Sequence, residues 1–315
     1  MNGAGTSGDP WQVTDYDDLK KVGRGLDADT NTYALSDYYV LTANIDASAS
    51  ADENVDAPAR SAGWLPIGIF TGELDGAGYA ITGLTITREA AAQALFSQVD
   101  GTVKDLAMTN VTITKYNRGV CSFQYMAGIA ADLYGTISRC LVTGLIDAEE
   151  GYYVGAIAGR VRSGGTVEDC YGGASVSNAS ADARISTIVG RLESGGTVRR
   201  CHGYGEIIRL HETPTTGGGC VGTSSGTITD CFWDGTINSE SYHSGGGTEK
   251  TTALMQNIDT YTNTGNEDLD TAWSMVSIGS YTSQTWFIDS GNDYPRLWFE
   301  HSETSAPMPQ YIYGA

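Results

Sequence analysis

Apolar residues recur along the middle of this chain at a spacing too long for the turns of one helix. Val103, Ile137, Val167, Val198 and Ile228 each follow a Gly-Thr pair, and Leu106, Cys140, Cys170, Cys201 and Cys231 stand three residues further on. A third set, Leu95, Ile129, Ile157, Ile188 and Cys220, precedes each pair across a short turn. Four segments share one core: Gly135-Thr136-Ile137-Ser138-Arg139-Cys140, Gly165-Thr166-Val167-Glu168-Asp169-Cys170, Gly196-Thr197-Val198-Arg199-Arg200-Cys201 and Gly226-Thr227-Ile228-Thr229-Asp230-Cys231. An earlier copy, Gly101-Thr102-Val103-Lys104-Asp105-Leu106, has leucine in place of cysteine, and successive glycines lie 34, 30, 31 and 30 residues apart.

Beyond the cysteine come the pairs Gly144/Ile146, Ala174/Val176, Gly205/Ile207 and Gly235/Ile237. Each period predicts three short strands separated by glycine-rich or polar corners, and no helix-length i, i+3, i+4 pattern fits inside it. One such unit cannot bury its own apolar face, so the copies must stack. The stack that satisfies the backbone without crossover helices is all-β: a parallel, right-handed β-helix with coils of about 30 residues.

Neighbouring coils then pair about 4.8 Å apart, and equivalent residues form rows. The three apolar sets become inward rows. Two inward positions three residues apart do not fit a straight strand, so a corner is predicted between them. Its row reads Asp105, Arg139, Asp169, Arg200, Asp230, alternating in sign at every coil, with Glu168 opposite Arg199 beside it. In-register stacking favours this alternation because opposite charges on adjacent coils attract.

The coils occupy residues 46–237, between an N-terminal arm and cap (1–45) and a C-terminal cap and tail (238–315). The stretch from Thr14 to Val22 predicts a short helix with Thr14 as N-cap, acids in the first turn, lysines in the last, and Leu19 and Val22 on one face. It would cover the first coil, whose open end is otherwise a strand-pairing edge. Tyr38 to Ile45 alternates like a strand, and Ala47 to Gly63 reads as a polar loop. After Ile237 the repeat stops: Ser244 to Gly247 reads as a flexible break and Thr251 to Ile258 as a short capped helix. Trp273, Trp286 and Trp298 with Tyr294-Pro295 supply bulk to cover the last coil. The tail Ser305 to Tyr313 reads as a frayed terminus or as an arm docking on a neighbour.

The pattern aliphatic-Val-Gly, short turn, Gly-Thr-Ile/Val-x-Asp/Asn-Cys-Tyr/Phe resembles the GLUG motif of repeat-containing bacterial, archaeal and phage surface proteins. The segment Gly63 to Leu84 resembles the one that leads into such repeats. Cys231-Phe232-Trp233-Asp234, Thr251-Thr252-Ala253-Leu254-Met255 and Asn292-Asp293-Tyr294-Pro295-Arg296-Leu297 resemble the closing segment. The likeness spans roughly residues 10 to 300. It implies an adhesin-like or uncharacterised surface protein and supplies no catalytic residues. The departures, Leu106 and the split glycines of Gly128-Ile129-Ala130, fall within structural rows.

Charge narrows the partners. Lys+Arg of 18 against Asp+Glu of 38 give a net charge of −20 over 315 residues, which repels nucleic acid and anionic membrane. No apolar run approaches the ~20 residues of a membrane span, and Met1 to Pro10 is polar, without a secretory signal. Low lysine, abundant Thr, Ser and Tyr, and the resemblance point outside a cell. Either a leader has been removed or, as Met1 favours, the chain is a virion component released by lysis.

The six cysteines suit buried rows. In-register side chains point in parallel, which is poor disulfide geometry, so free stacked thiols are expected; Cys121 stays unassigned. No C-x-x-C is present to suggest zinc. His202, His211, His243 and His301 are scattered and read as surface or core histidines, and Asp289 to Asp293 reads as a turn rather than a cation loop. No cofactor is expected. A polysaccharide-degrading β-helix would need acids with Arg or Lys clustered along one face, which the sequence does not display.

Surface recognition remains. Tyr116, Tyr125, Tyr152, Tyr153 and Tyr242, in loops interrupting the coils, could stack on sugars or anchor a protein interface. Insertions at 115–125, 147–153, 177–184 and 208–216 fall at a similar point of successive coils and should project together. The chain reads as a non-enzymatic β-helix for adhesion, receptor or glycan binding, or particle decoration. Expected partners are a host-surface glycan or protein, neighbouring virion or surface proteins, and further copies of itself, for instance in a trimer. A purely structural component and a polysaccharide-degrading β-helix are the rivals.

Overall fold

The computed structural model describes residues 1–26, 32–53, 62–88, 90–115, 124–148, 153–178, 183–209, 217–238, 245–265, 267–278 and 284–300. Within them the chain winds a parallel β-solenoid. A representative coil runs Ala130–Leu133, Thr136–Ser138, Leu141–Ala148 and Tyr153–Gly155 before the next resumes at Ala158–Val161. These strands belong in turn to a six-stranded sheet A, an eight-stranded sheet B, an eleven-stranded sheet C and a four-stranded sheet D. Three strands per period were predicted. The fourth, in sheet D, is only two or three residues long, too short for its periodicity to be read.

Register follows the predicted rows. Val103, Ile137, Val167, Val198 and Ile228 pair coil to coil in sheet B, and the row continues back through Leu74, Tyr39 and Trp11. The row of Leu106 and four cysteines and the row from Leu95 to Cys220 are buried. At the N-terminus, α1 (Tyr16–Leu19) buries Tyr16 and Leu19, and Val22 joins the same core. Its cap falls one residue later than predicted. Asp15, not Thr14, accepts from the Asp18 N–H at 2.9 Å, since a carboxylate caps as well as a hydroxyl and its charge suits the helix N-terminus.

The predicted corner is a left-handed backbone turn. Asp105, Arg139, Asp169, Arg200 and Asp230 have φ of 51°, 50°, 52°, 50° and 53°, a region that costs a non-glycine residue roughly 1–2 kcal/mol and that Asp tolerates better than Arg. Each arginine is compensated by a two-pronged grip on the aspartate one coil before it. Arg139 holds Asp105 at 2.6 and 2.7 Å, and Arg200 holds Asp169 at 2.8 and 2.7 Å. Arg199 pairs with Glu168 at 2.6 Å, as the alternation required.

The same bend turns a carbonyl toward each thiol. Cys140, Cys170, Cys201 and Cys231 donate to the carbonyl oxygens of Ser138, Glu168, Arg199 and Thr229 at 3.2, 3.1, 3.3 and 3.2 Å. These four and Cys220 are free and buried, and burial pushes the thiols of Cys170, Cys220 and Cys231 well above their ordinary pKa. Cys121 lies outside the described residues.

The C-terminal region departs from expectation. The described residues between 251 and 300 form a strap along the outside of sheet C. The row Ala80, Ala107, Leu141, Tyr171, His202 and Phe232 opens successive sheet C strands, and Met255, Tyr261, Trp273, Trp286, Leu297 and Phe299 pack in the cluster built on it. All three corner aspartates receive a donor from the strap. Trp298 Nε1 reaches Asp105 at 3.1 Å, Trp286 Nε1 reaches Asp169 at 3.3 Å and the Asp270 N–H reaches Asp230 at 2.6 Å. His202 is a core residue whose Nε2–H donates to the Pro295 carbonyl at 2.9 Å. His211, His243 and His301 lie outside the described residues.

The last rung is ordered where a flexible break was expected. Gly246 bridges Val221, and Thr248–Lys250 pairs with Phe232–Asp234. Asp289 to Asp293 is a turn, its Asp289 carbonyl accepting from the Asn292 and Asp293 N–H groups at 2.9 and 3.0 Å.

Candidate recognition face

Sheets A and D meet closely because the positions between them carry almost no side chain. A Cβ at Gly159 would fall 3.0 Å from Met126 N, and one at Gly190 would fall 2.4 Å from Val154 N. Ala131 and Gly222 hold the equivalent places. This approach sets two rows side by side: Tyr125, Tyr153 and Arg184 in sheet D, and Asp132, Arg160, Arg191 and Thr223 in sheet A.

Tyr125 and Tyr153 stack with 5.5 Å between centroids and 10° between planes. The Arg160 guanidinium lies 4.1 Å from the Tyr125 centroid and that of Arg191 lies 5.2 Å from Tyr153. Arg191 Nη1 also donates to the Tyr153 hydroxyl oxygen at 2.7 Å. Arg160 forks onto Asp132 at 3.0 and 2.6 Å. Arg162, 5.4 Å from the Tyr134 ring centroid, joins Asp132 at 3.1 Å and Glu193 at 3.3 Å. Glu193 further approaches Arg160 at 3.8 Å and Arg191 at 3.7 Å.

Three guanidiniums therefore share two carboxylates. Among the described residues this is a cationic, aromatic face on a chain of net charge −20. Burial works against the charge of Arg162, yet Asp132 and Glu193 outweigh it and its pKa lies above the ordinary value. Burial raises the Tyr125 hydroxyl, which stays neutral.

The fold has a solved counterpart. A Bacteroides ovatus protein provisionally described as an immunoglobulin A1 protease shares it with a TM-score of 0.63 over 95% of each chain, at 18% sequence identity. In sequence the chain is 31% identical over 171 residues to halomucin of Haloquadratum walsbyi, a match covering 52% of this chain and 2% of that protein. No family model matches the chain, so the GLUG resemblance rests on the quoted residues alone.

Of the five tyrosines singled out in the sequence, the structure brings Tyr125 and Tyr153 together, on strands rather than loops, and Tyr153 is buried under Tyr125 and Arg191 instead of facing a ligand; Tyr116, Tyr152 and Tyr242 lie outside the described residues. The sequence reading found no acids clustered with arginine along one face. The structure corrects this with Asp132, Glu193, Arg160, Arg162 and Arg191. The signal was present: Asp132, Arg160 and Arg191 each stand three residues after Ile129, Ile157 and Ile188, one place beyond the aliphatic block. Tyr134, exposed at the rim, had no repeat counterpart to mark it.

Proposed function

We propose that this chain is a non-enzymatic, surface-exposed or secreted β-helix protein that mediates adhesion, binding a glycan or protein of another surface through the face formed by sheets A and D. The observation that carries this reading is the Tyr125–Tyr153 stack with Arg160 and Arg191 beside its rings. Tyr153 is buried and holds Arg191 in place, while the part-exposed Tyr125 and the exposed Tyr134 offer ring surface and the guanidiniums offer directional donors, the pairing that anchors recognition sites. Paired strands hold these side chains in place, so little ordering cost falls on binding.

The identity shared with halomucin supports a surface setting. It lends nothing to a virion placement. Asp132 and Glu193 are engaged by guanidiniums, an arrangement suited to holding a face in shape rather than to delivering a proton.

Purified, labelled protein titrated onto intact candidate cells and a panel of surface polysaccharides, with product release followed in parallel, tests the reading. Saturable binding without cleavage, weakened by Tyr125→Ala, is expected. Catalytic release of fragments would overturn the non-enzymatic role, and no binding to any cell or polysaccharide would overturn adhesion.

A further inference from the structure

We infer that this face takes an acidic saccharide, with the carboxylate or sulfate of the sugar held by the fork of Arg191; the inference rests on the recognition role proposed above. One row of the face is unbalanced in charge. Arg160 has an acid one coil before it and grips Asp132 with two hydrogen bonds. Arg191 occupies the same place one coil later, but its row neighbours are Arg160 and Thr223.

A guanidinium carries five N–H donors in a planar fork. Those of Arg191 make one hydrogen bond to Tyr153 and a 3.7 Å ion pair to Glu193, a carboxylate already shared with Arg160 and Arg162. Exposure follows the same division. The side chain of Arg160, whose fork is matched, is 11% exposed, while those of Arg162 and Arg191 are 26% and 34% exposed. The unmatched donors of Arg191 therefore sit at the surface, whereas Arg162, although part-exposed, spends Nε and Nη2 on Asp132 and Nη1 on Glu193. A pair of anionic oxygens that accept two parallel N–H bonds is what such a fork binds best, and carboxylate and sulfate both present one.

The rest of the ligand follows from the surroundings. Tyr134 is 41% exposed beside Arg162 and offers a ring face next to the charged group, as a sugar carrying its acid on an otherwise apolar ring face requires. Rows repeat at about the 4.8 Å strand spacing, a rise comparable with one sugar of a linear chain, so a polymer can lie along the coils. An acidic peptide would bring the charge without the ring.

Calorimetric titration with polygalacturonate, dextran sulfate, neutral dextran and polyglutamate, at low and high salt, tests this. Wild-type protein should bind the two acidic polysaccharides, more weakly at high salt, and neutral dextran at least about tenfold less well, the loss expected for one charge-assisted contact. Arg191→Gln should lower affinity about tenfold. Thr223→Asp gives Arg191 an internal carboxylate; it should weaken binding to a similar degree while leaving the unfolding midpoint at or above that of the wild type. Binding to polygalacturonate alone or dextran sulfate alone would identify the acid and support the inference. Neutral dextran bound as tightly, with both variants unchanged, would overturn it while sparing the recognition role. Polyglutamate bound as tightly would overturn the saccharide assignment. Cell binding without any polysaccharide binding would overturn it in favour of a protein receptor.

Discussion

Arginine with a left-handed backbone is an uncomfortable residue, and this solenoid uses it twice in one row, at Arg139 and Arg200. The strain is tolerated because each guanidinium is held by two hydrogen bonds to an aspartate, and hydrogen bonds to charged groups contribute about 1.5–3 kcal/mol. Arg139→Asn keeps a residue that accepts this backbone and loses only the grip, so a loss of about 1 kcal/mol is expected in urea unfolding. Arg139→Asp stacks three carboxylates in Asp105, position 139 and Asp169 and should lose about 1 kcal/mol more. Equal midpoints for the two variants would show that sign alternation does not matter.

Two buried titratable groups where the strap meets sheet C act in opposite directions with pH. Glu300 accepts from the Tyr171 hydroxyl at 2.6 Å and from the Leu297 N–H at 2.7 Å. Burial pushes its carboxyl from 4.5 up to about 7, against the pull of Arg296 and these hydrogen bonds. The folded state therefore favours the neutral acid. Its contribution is fully present below the unfolded value and fades as pH rises through about 7, by up to about 3 kcal/mol. Burial takes His202 down to about 3, so its contribution is present above its ordinary 6.5 and is lost as pH falls toward 3. Glu300→Gln should raise the unfolding midpoint at pH 8 and leave it little changed at pH 4.5. A variant no more stable than wild type at pH 8 would contradict this.

At the scale of the elements, legibility depended on repetition. The inward rows could be read because the same kind of residue must fill the same place in every coil, as Val103, Ile137, Val167 and Val198 do. The cysteine row predicts a simple chemical result. The five described thiols should resist a water-soluble thiol reagent in the native state and react on unfolding; rapid native labelling of any of them would place it at the surface. The close contact between sheets A and D predicts that Gly190→Ala, whose Cβ would meet Val154 N at 2.4 Å, costs about 1–3 kcal/mol in unfolding. A neutral substitution would mean that the two sheets can part.

What could not be read lay where repetition fails. The strap has no internal period, and its seat on sheet C runs Ala80, Ala107, Leu141, Tyr171, His202, Phe232, a row of changing size whose common feature is its register. Tyr171 and Phe232 were noticed as companions of the cysteine, but nothing local says that their rings face outward into a second core. The recognition face was half legible: Tyr125 and Tyr153 stood out as loop aromatics, whereas their arginine partners emerge only once sheet A fixes the register of Asp132, Arg160 and Arg191.

At the scale of the molecule, the two kinds of surface explain each other. The strap closes the outer side of sheet C and fastens to corner aspartates of three coils, which commits that flank to stability. Sheets A and D carry the tyrosines and the shared carboxylates at their junction, and this flank remains for recognition. Hydrogen-exchange footprinting of the protein bound to a cell surface or polysaccharide that it recognises separates the two directly. The account predicts new protection at Tyr125–Met126, Tyr153–Gly155, Arg184–Ser186 and Val189–Leu192, with the strap unchanged. Protection confined to the strap, with these strands exchanging as in the free protein, would contradict it.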